Sequence, residues 1–76
     1  MQILITGGAG YIGSTVANFF LEKKHKVTII DNLSTGNKNN IPKKSIFYKC
    51  DISETKKIKK ILNKKFDVVL HFAAYA

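Results

Sequence analysis

Short apolar runs alternate along this chain with segments in which apolar and charged residues recur at helical spacing. The first run, residues 3–5, contains no polar residue, which is typical of a strand that is covered on both faces. Three further runs, at 26–30, 45–50 and 66–71, complete a set of four predicted strands. Because helical or loop segments separate the strands, the pattern predicts an α/β protein with a parallel sheet.

The first helical segment begins at Tyr11 and ends among the charged residues 22–24. The lysines at its end suit the negative pole of the helix dipole. Its apolar residues follow helical spacing and predict one buried stripe. The members of that stripe are Ile12, Val16, Phe19 and Phe20.

A second helical segment lies between the third and fourth predicted strands. Ser53 is the expected N-cap and Glu54 lies in the first turn, where helix N–H groups need acceptors. Residues 32–44 are rich in Asn, Ser, Thr and Gly and include Pro42, so a loop is expected between the second and third strands. The buried stripe of the second helix is predicted to consist of Ile58, Ile61 and Leu62.

The predicted order of elements is strand, helix, strand, crossover loop, strand, helix, strand. This order matches one half of a doubly wound fold, so we expect a partial Rossmann doubly wound parallel sheet with strand order 3-2-1-4. Ligands of such sheets bind at the carboxyl ends of the strands. Residues that directly follow a predicted strand are therefore the candidates for chemistry.

Length and cysteine content narrow the class of protein. The chain has 76 residues and no apolar run near the roughly 20 residues that a membrane-spanning helix needs. Its uncharged opening does not resemble an export signal. The single cysteine, Cys50, allows no disulfide within the chain and is expected to be a small buried strand residue rather than a nucleophile. These features favour a cytoplasmic protein that has no membrane partner.

The net charge of +8 raises the question of nucleic-acid binding. All 13 basic residues are lysines, and they are spread over predicted helix faces and loops. No arginine or aromatic interleaving marks a surface that could read bases. We therefore expect solvated lysine faces and no nucleic-acid partner.

A glycine-rich turn joins the first strand to the first helix in the sequence TGGAGYIG, residues 6–13. Gly7 permits a tight turn, Gly10 lacks a Cβ so that the backbone can approach a pyrophosphate, and Gly13 allows the helix to pack closely on the sheet. The first N–H groups of the helix have no partner inside the helix and form an anion site together with its dipole. Because glycines also make ordinary turns, the motif needs support from its context.

Acidic residues at the ends of the next two strands supply that context. Asp31 follows the second strand, where a carboxylate can accept hydrogen bonds from an adenosine ribose and repel a 2′-phosphate, which favours NAD over NADP. The alternative for Asp31 is an Asx-turn. Asp51 follows the third strand and could receive the adenine amino group, or could serve as a turn or N-cap residue. His71 ends the fourth strand, where a structural role is favoured over that of a proton shuttle.

Four segments, residues 6–14, 31–36, 51–52 and 71–74, together resemble the extended short-chain dehydrogenase/reductase family. Within it they are most similar to the UDP-glucose 4-epimerases, and residues 31–36 favour these over sugar-nucleotide dehydratases. The resemblance covers the whole chain. It implies that residues 1–76 are the N-terminal part of an NAD-binding Rossmann domain, with the catalytic and substrate-binding regions absent from this chain.

The resemblance also implies roles for individual residues. Gly7, Gly10 and Gly13 form the phosphate turn, and Tyr11 and Ile12 border the pyrophosphate of NAD. The residues expected to hold or line the adenosine ribose are Asp31, Asn32, Leu33, Ser34, Thr35 and Gly36. Those expected to flank adenine are Asp51 and Ile52. Those expected beneath the pyrophosphate and the nicotinamide-side ribose are Phe72, Ala73, Ala74, Tyr75 and Ala76.

The reaction implied by the resemblance interconverts UDP-glucose and UDP-galactose at C4 through a transient 4-keto sugar, with NAD recycled in place. Relatives carry a catalytic Ser or Thr and a Tyr-x-x-x-Lys pair well beyond the region matched here, so no catalytic or metal-binding residue is expected in this chain and the chain alone is expected to be inactive. The UDP-sugar partner and a homodimer are expectations for a full-length form. A dehydratase or oxidoreductase of the same family, and a noncatalytic nucleotide-binding module, are the alternatives.

Overall fold

The computed structural model describes residues 1–7, 10–33, 38–51 and 53–72. Among these residues, neither α-helix has the length and apolar character that crossing a membrane requires. The elements in chain order are β1 (Gln2–Thr6), α1 (Tyr11–Glu22), β2 (Lys26–Asp31), a short 3₁₀ turn (Lys38–Asn40), β3 (Ile46–Lys49), α2 (Thr55–Leu62) and β4 (Val68–His71).

The four strands form one parallel sheet in the order β3-β2-β1-β4, which confirms the predicted topology. The two central strands, β1 and β2, are buried along nearly their whole length. The outer strands are shorter than the sequence predicted, because β3 spans Ile46–Lys49 and β4 spans Val68–His71. Both outer strands consist of half-buried and exposed residues only, and each has a neighbouring strand on one side only.

Helix α1 covers one face of the sheet, where it packs against Ile3, Ile5 and Ile29. The predicted stripe on this helix is partly wrong, because Ile12 is 64% and Phe19 is 52% exposed. The helix lies close to the sheet, so small residues occupy the line of contact and larger apolar residues pack at its margins. The buried residues of α1 are Gly13, Ser14 and Ala17, and those at the margins are Val16, Phe20 and Leu21.

Helix α2 covers the opposite face, where Ile61 packs with Leu4, Ile30 and Cys50. The prediction for Leu62 is wrong, since its side chain is 48% exposed. Ile58 is partly buried against the same cluster, as expected. Ile61 is the one buried residue of this eight-residue helix, which therefore contacts the sheet along a single line.

The start of α2 also differs from the prediction. The N-cap is Glu54 rather than Ser53, and no side chain caps the helix. The backbone N–H of Ser53 is instead bonded to the Asp51 carboxylate, 3.0 Å away, in a turn that precedes the helix. The Asp51 carboxylate thus orders a turn at the place where the sequence pattern predicted the N-cap.

The packing of α1 on the sheet can be tested by removing one methylene group from a sheet residue under the helix and one from an exposed residue of the helix. We expect Ile29→Val, a change at a fully buried position, to lower the free energy of unfolding by about 1 kcal/mol, since the transfer and cavity terms add. Ile12→Val is the matched control and should change it by less than about 0.5 kcal/mol, because Ile12 is mostly exposed. Urea unfolding followed by circular dichroism measures both, and equal losses would contradict this packing.

Candidate functional site

The segments that follow the strands are held at one edge of the sheet. Because all four strands are parallel, their carboxyl ends meet there. The ladder of backbone hydrogen bonds continues past the strand ends. The N–H of Gly7 donates to the carbonyl of Ile30 at 2.8 Å, and the N–H of Cys50 donates to the carbonyl of Asp31 at 3.0 Å. The glycine turn and the residues after β2 and β3 are therefore fixed beside one another.

Two glycines of the turn, Gly7 and Gly10, differ in backbone conformation. Gly7 has a φ of 80°, a left-handed conformation that side chains disfavour, and its carbonyl accepts the N–H of Gly10 at 3.2 Å. Gly10 has a φ of −76°, which any residue can adopt. Among the described residues, a Cβ at Gly10 would meet only the Gly7 carbonyl oxygen within 4 Å, at an ordinary 3.5 Å. The backbone conformation thus favours glycine at position 7, whereas no described contact or backbone angle requires it at position 10.

The N-terminus of α1 opens at this edge. Its first intrahelical bond runs from the N–H of Ser14 to the carbonyl of Gly10 at 2.9 Å, so the N–H groups of Tyr11, Ile12 and Gly13 have no acceptor within the helix. Gly10, the N-cap, has no side chain to cap them, and the first turn contains no acidic residue. The positive end of the helix dipole is therefore available to an anion.

Asp31 ends β2 at the same edge and is 9% exposed. Its Oδ1 accepts the backbone N–H of Leu33 at 2.7 Å, which is the Asx-turn that the sequence left open as an alternative. Leu33 itself has a φ of 64°. The turn orients the carboxylate at the end of β2. An Asx-turn and a ligand contact are compatible, since a carboxylate has about four lone-pair sites.

Asp51 and Asn32 meet across the ends of β3 and β2. The Asn32 amide donates to Asp51 Oδ2 at 3.4 Å, while Asp51 Oδ1 accepts the N–H of Ser53 and the Asp51 N–H donates to Glu54 Oε1 at 3.2 Å. Asp51 is thus a turn residue, as the sequence allowed. The contact with Asn32 was not predicted. Their positions directly after neighbouring strands were the signal from which it could have been found.

The end of β4 lies on the other side of β1. The N–H of Phe72 donates to the Thr6 carbonyl at 2.8 Å, and the side chains of Thr6 and His71 are hydrogen-bonded at 2.5 Å. This bond joins the ends of β1 and β4 and agrees with the structural role expected of His71. Phe72 is 38% exposed at the edge.

Several predicted site residues lie outside the described part of the chain. The structure therefore brings together the described candidates only, namely Gly7, Gly10, Tyr11, Ile12, Gly13, Asp31, Asn32, Leu33, Asp51 and Phe72. The candidates outside it are Ser34, Thr35, Gly36, Ile52, Ala73, Ala74, Tyr75 and Ala76. No group of three or more His, Cys, Asp or Glu side chains that could hold a metal ion occurs within residues 1–7, 10–33, 38–51 and 53–72.

Cys50 is buried, as predicted, with 4% exposure next to the α2 face of the sheet. Burial raises the pKa of its thiol, and the negative charge of Glu54 acts in the same direction against the opposing charge of Lys57. A buried thiol with a raised pKa is a poor nucleophile. The geometry therefore agrees with a packing role for Cys50.

The glycine turn, the open helix and the acidic strand ends are features of dinucleotide-binding half-domains. Residues 3–76 match the model of the NAD dependent epimerase/dehydratase family. The chain belongs to this family. A UDP-glucose 4-epimerase of Corynebacterium glutamicum is 44% identical over 75 residues, which cover 97% of this chain and 22% of that protein.

Solved structures of family members have the same fold as this chain. The UDP-glucose 4-epimerase of Thermotoga maritima with UDP-glucose superposes on all of this chain and 25% of its own, with a TM-score of 0.97 and 38% identity. The Thermus thermophilus UDP-glucose 4-epimerase in complex with NAD does so with a TM-score of 0.89 and 36% identity, again over all of this chain and 25% of its own. The chain spans about a quarter of the length of the relatives it matches.

The burial of Cys50 predicts slow alkylation, since this residue is the only cysteine in the chain. At about pH 8.5, near the ordinary thiol pKa, we expect iodoacetamide to react with the folded chain at least about tenfold more slowly than with the chain in urea. Equal rates would contradict the burial.

The same thiol predicts a dependence of stability on pH. A pKa raised by folding means that the native state holds the proton more tightly, so this contribution is complete below the ordinary thiol pKa and is lost as pH rises through the folded value. A Cys50→Ser variant removes the titration, so its unfolding free energy should fall less over that range than that of the unaltered chain. Urea unfolding of both proteins between about pH 8 and pH 10 measures the difference.

Proposed function

We propose that this chain binds NAD at the carboxyl edge of its sheet, as the N-terminal part of the Rossmann domain of a UDP-sugar 4-epimerase. One observation carries the proposal. The N-terminus of α1 has no side-chain cap, and the turn that precedes it is tied to β2 by the 2.8 Å bond from the Gly7 N–H to the Ile30 carbonyl, next to the buried carboxylate of Asp31. An anion site beside a carboxylate suits a pyrophosphate joined to a ribose.

The pyrophosphate is assigned to the start of α1. The N–H groups of Tyr11, Ile12 and Gly13 supply donors that helix geometry leaves without intrahelical acceptors, and the dipole favours negative charge. The absence of a Cβ at Gly10 leaves room for phosphate oxygens against the turn. The buried position of Gly13 supports close packing of the helix on the sheet.

The adenosine half is assigned to the ends of β2 and β3. The carboxylate of Asp31 would accept hydrogen bonds from ribose hydroxyls, and its charge would repel the 2′-phosphate of NADP. Asn32 and Asp51, which are hydrogen-bonded to each other, would border the ribose and the adenine. Leu33 and Phe72 would line the same edge.

The remaining cofactor contacts are proposed from the family pattern alone. Ser34, Thr35 and Gly36 would line the ribose, and Ile52 would flank adenine. The residues proposed to run beneath the nicotinamide side are Ala73, Ala74, Tyr75 and Ala76. None of these residues lies in the described part of the chain.

The proposed activity belongs to a longer protein. Both structural relatives and the curated relative described above are UDP-glucose 4-epimerases, which supports interconversion of UDP-glucose and UDP-galactose at C4 through a 4-keto sugar, a reaction of galactose metabolism. Bound NAD would supply the hydride acceptor and donor. The residues of this chain would bind and orient it, and we assign the acid–base steps to none of them. We further propose a cytoplasmic, homodimeric full-length form with no membrane or nucleic-acid partner.

The role of Asp31 can be tested by comparing NAD with NADP. Asp31→Asn keeps an oxygen that can accept the Leu33 N–H but removes the charge. We expect NAD affinity to fall about tenfold, because charge-assisted bonds to ribose are lost, and the preference for NAD over NADP to shrink by a similar factor. Isothermal titration calorimetry with each dinucleotide measures both effects.

Asp67→Asn provides a control with the same change in charge. Asp67 accepts the N–H of Gln2 at 2.7 Å, at the opposite edge of the sheet. This variant should leave the affinities for NAD and NADP within about twofold of the original values, since exposed charges beyond about 8 Å are screened at physiological salt. Tighter binding of NADP than of NAD by the unaltered chain would remove the assignment.

Gly7 and Gly10 of the turn provide a second test. Gly10→Ala should lower the free energy of unfolding by no more than about 1 kcal/mol, since the new Cβ meets an ordinary contact and the only loss is that Ala is a poorer N-cap than Gly. It should weaken NAD binding more than about tenfold by occupying space assigned to phosphate. Gly7→Ala should instead destabilise the fold by about 1–2 kcal/mol, because its φ is 80°. Urea unfolding and calorimetry separate the two outcomes, and unchanged NAD affinity in Gly10→Ala would refute the phosphate assignment.

A further inference from the structure

The edge strand β3 is bordered by a groove on each face of the sheet. The groove on the α1 side has a volume of about 470 Å³ and is lined by Ile41, Pro42 and Phe47 together with lysines. The groove on the α2 side has a volume of about 400 Å³ and is lined by Phe47, Tyr48 and Ile61, again together with lysines. Phe47 borders both grooves, whereas Ile41 packs in the cluster on the α1 face and Tyr48 and Ile61 in the cluster on the α2 face, so the two grooves lie on opposite sides of one strand.

The backbone of β3 offers unused hydrogen-bonding groups between these grooves. Lys49 pairs with Asp31, and the N–H of Cys50 donates to Asp31, so the backbone groups of Tyr48 and Cys50 face β2. The N–H and C=O groups of Phe47 and Lys49 therefore point outward. Within the described ranges, no hydrogen bond uses these outward groups. An extended segment could pair with them.

Lysines dominate the charge around this edge. Lys38 and Lys43 line the groove on the α1 side, and Lys57 and Lys60 line the other. Only Lys57 has a carboxylate partner among the described contacts of these four, namely Glu54 at 2.8 Å. Lysines on both sides of an open strand edge repel another copy of this chain, whose net charge is +8. The same lysines attract a segment that carries carboxylates.

We propose that β3 accepts an acidic, extended segment of another protein as an added edge strand. Successive side chains of such a strand point to opposite faces of the sheet, which matches a groove on each face. Backbone bonds to Phe47 and Lys49 would provide affinity, and the lysines would select acidic sequences. This surface is separate from the carboxyl edge assigned to NAD, and the proposal goes beyond the proposed function.

The test uses a fluorescein-labelled peptide of alternating glutamate and valine, with fluorescence anisotropy of the full chain as the readout. We expect saturable binding. A peptide of the same sequence that is N-methylated along its backbone keeps its charge but cannot donate hydrogen bonds, so it should bind more than about tenfold more weakly. Equal binding of the two peptides would overturn the proposal, because charge alone would then explain the association.

Protein variants locate the surface. Lys43→Gln with Lys60→Gln removes one lysine from each groove and should weaken peptide binding about three- to tenfold. Lys23→Gln with Lys65→Gln removes the same charge from positions outside both grooves and should change it by less than about twofold. Equal weakening by both pairs would overturn the assignment to β3.

Two further measurements distinguish this proposal from its competitors. The first measures whether a DNA duplex displaces the peptide and whether the Lys43→Gln and Lys60→Gln pair weakens DNA binding. If both occur, the surface binds polyanions in general, and the proposal is wrong. Calorimetry with NAD should be unaffected by the Lys43→Gln and Lys60→Gln pair. A failure of peptide binding with intact NAD binding therefore rejects this inference alone, and the reverse result rejects the proposed function alone.

Discussion

The burial of β1 and β2 on both faces is the constraint on which the rest of this structure depends. Ile3, Ile5 and Ile29 face α1, whereas Leu4 and Ile30 face α2. A strand without a polar face requires a covering layer on each side. The layers are provided by α1, in the crossover from β1 to β2, and by α2, in the crossover from β3 to β4, and each crossover returns the chain to start the next strand at the same edge. All carboxyl ends consequently meet at the other edge. The juxtaposition of a helix N-terminus with acidic residues follows from how the core is covered.

The glycine turn separates what the fold needs from what a ligand would need. Gly7 is held at positive φ between β1 and β2, so its conformation has an explanation within the chain. Gly10 has an ordinary conformation and ordinary surroundings, so among the described residues its place as the N-cap of α1 favours glycine but does not require it. Asp31 and Asp51 show the opposite case, since each carboxylate already orients a turn. In the proposed function, each of these two carboxylates would hold a turn and also bind the ligand.

The sequence predicted the strand order, the start of α1 and the positions of the acidic residues, because short apolar runs and a glycine-rich turn are local signals. It did not predict that Ile12, Phe19 and Leu62 are exposed. Helical spacing gives the angular position of a residue, whereas exposure depends on how closely the helix approaches the sheet. The Asn32–Asp51 contact and the replacement of Ser53 as the N-cap also escaped local reasoning, since both depend on where β2 and β3 end relative to each other.

Net charge and local charge act in opposite directions in the proposed cofactor preference. A chain of charge +8 attracts any dinucleotide, and it attracts NADP more strongly than NAD because NADP carries the additional 2′-phosphate. This attraction between exposed charges fades beyond about 8 Å at physiological salt. A preference for NAD must therefore come from a carboxylate within direct reach of the 2′ position. Asp31 is buried at the end of β2, where its charge is screened less than that of surface lysines, so one side chain can outweigh the long-range bias of the whole chain.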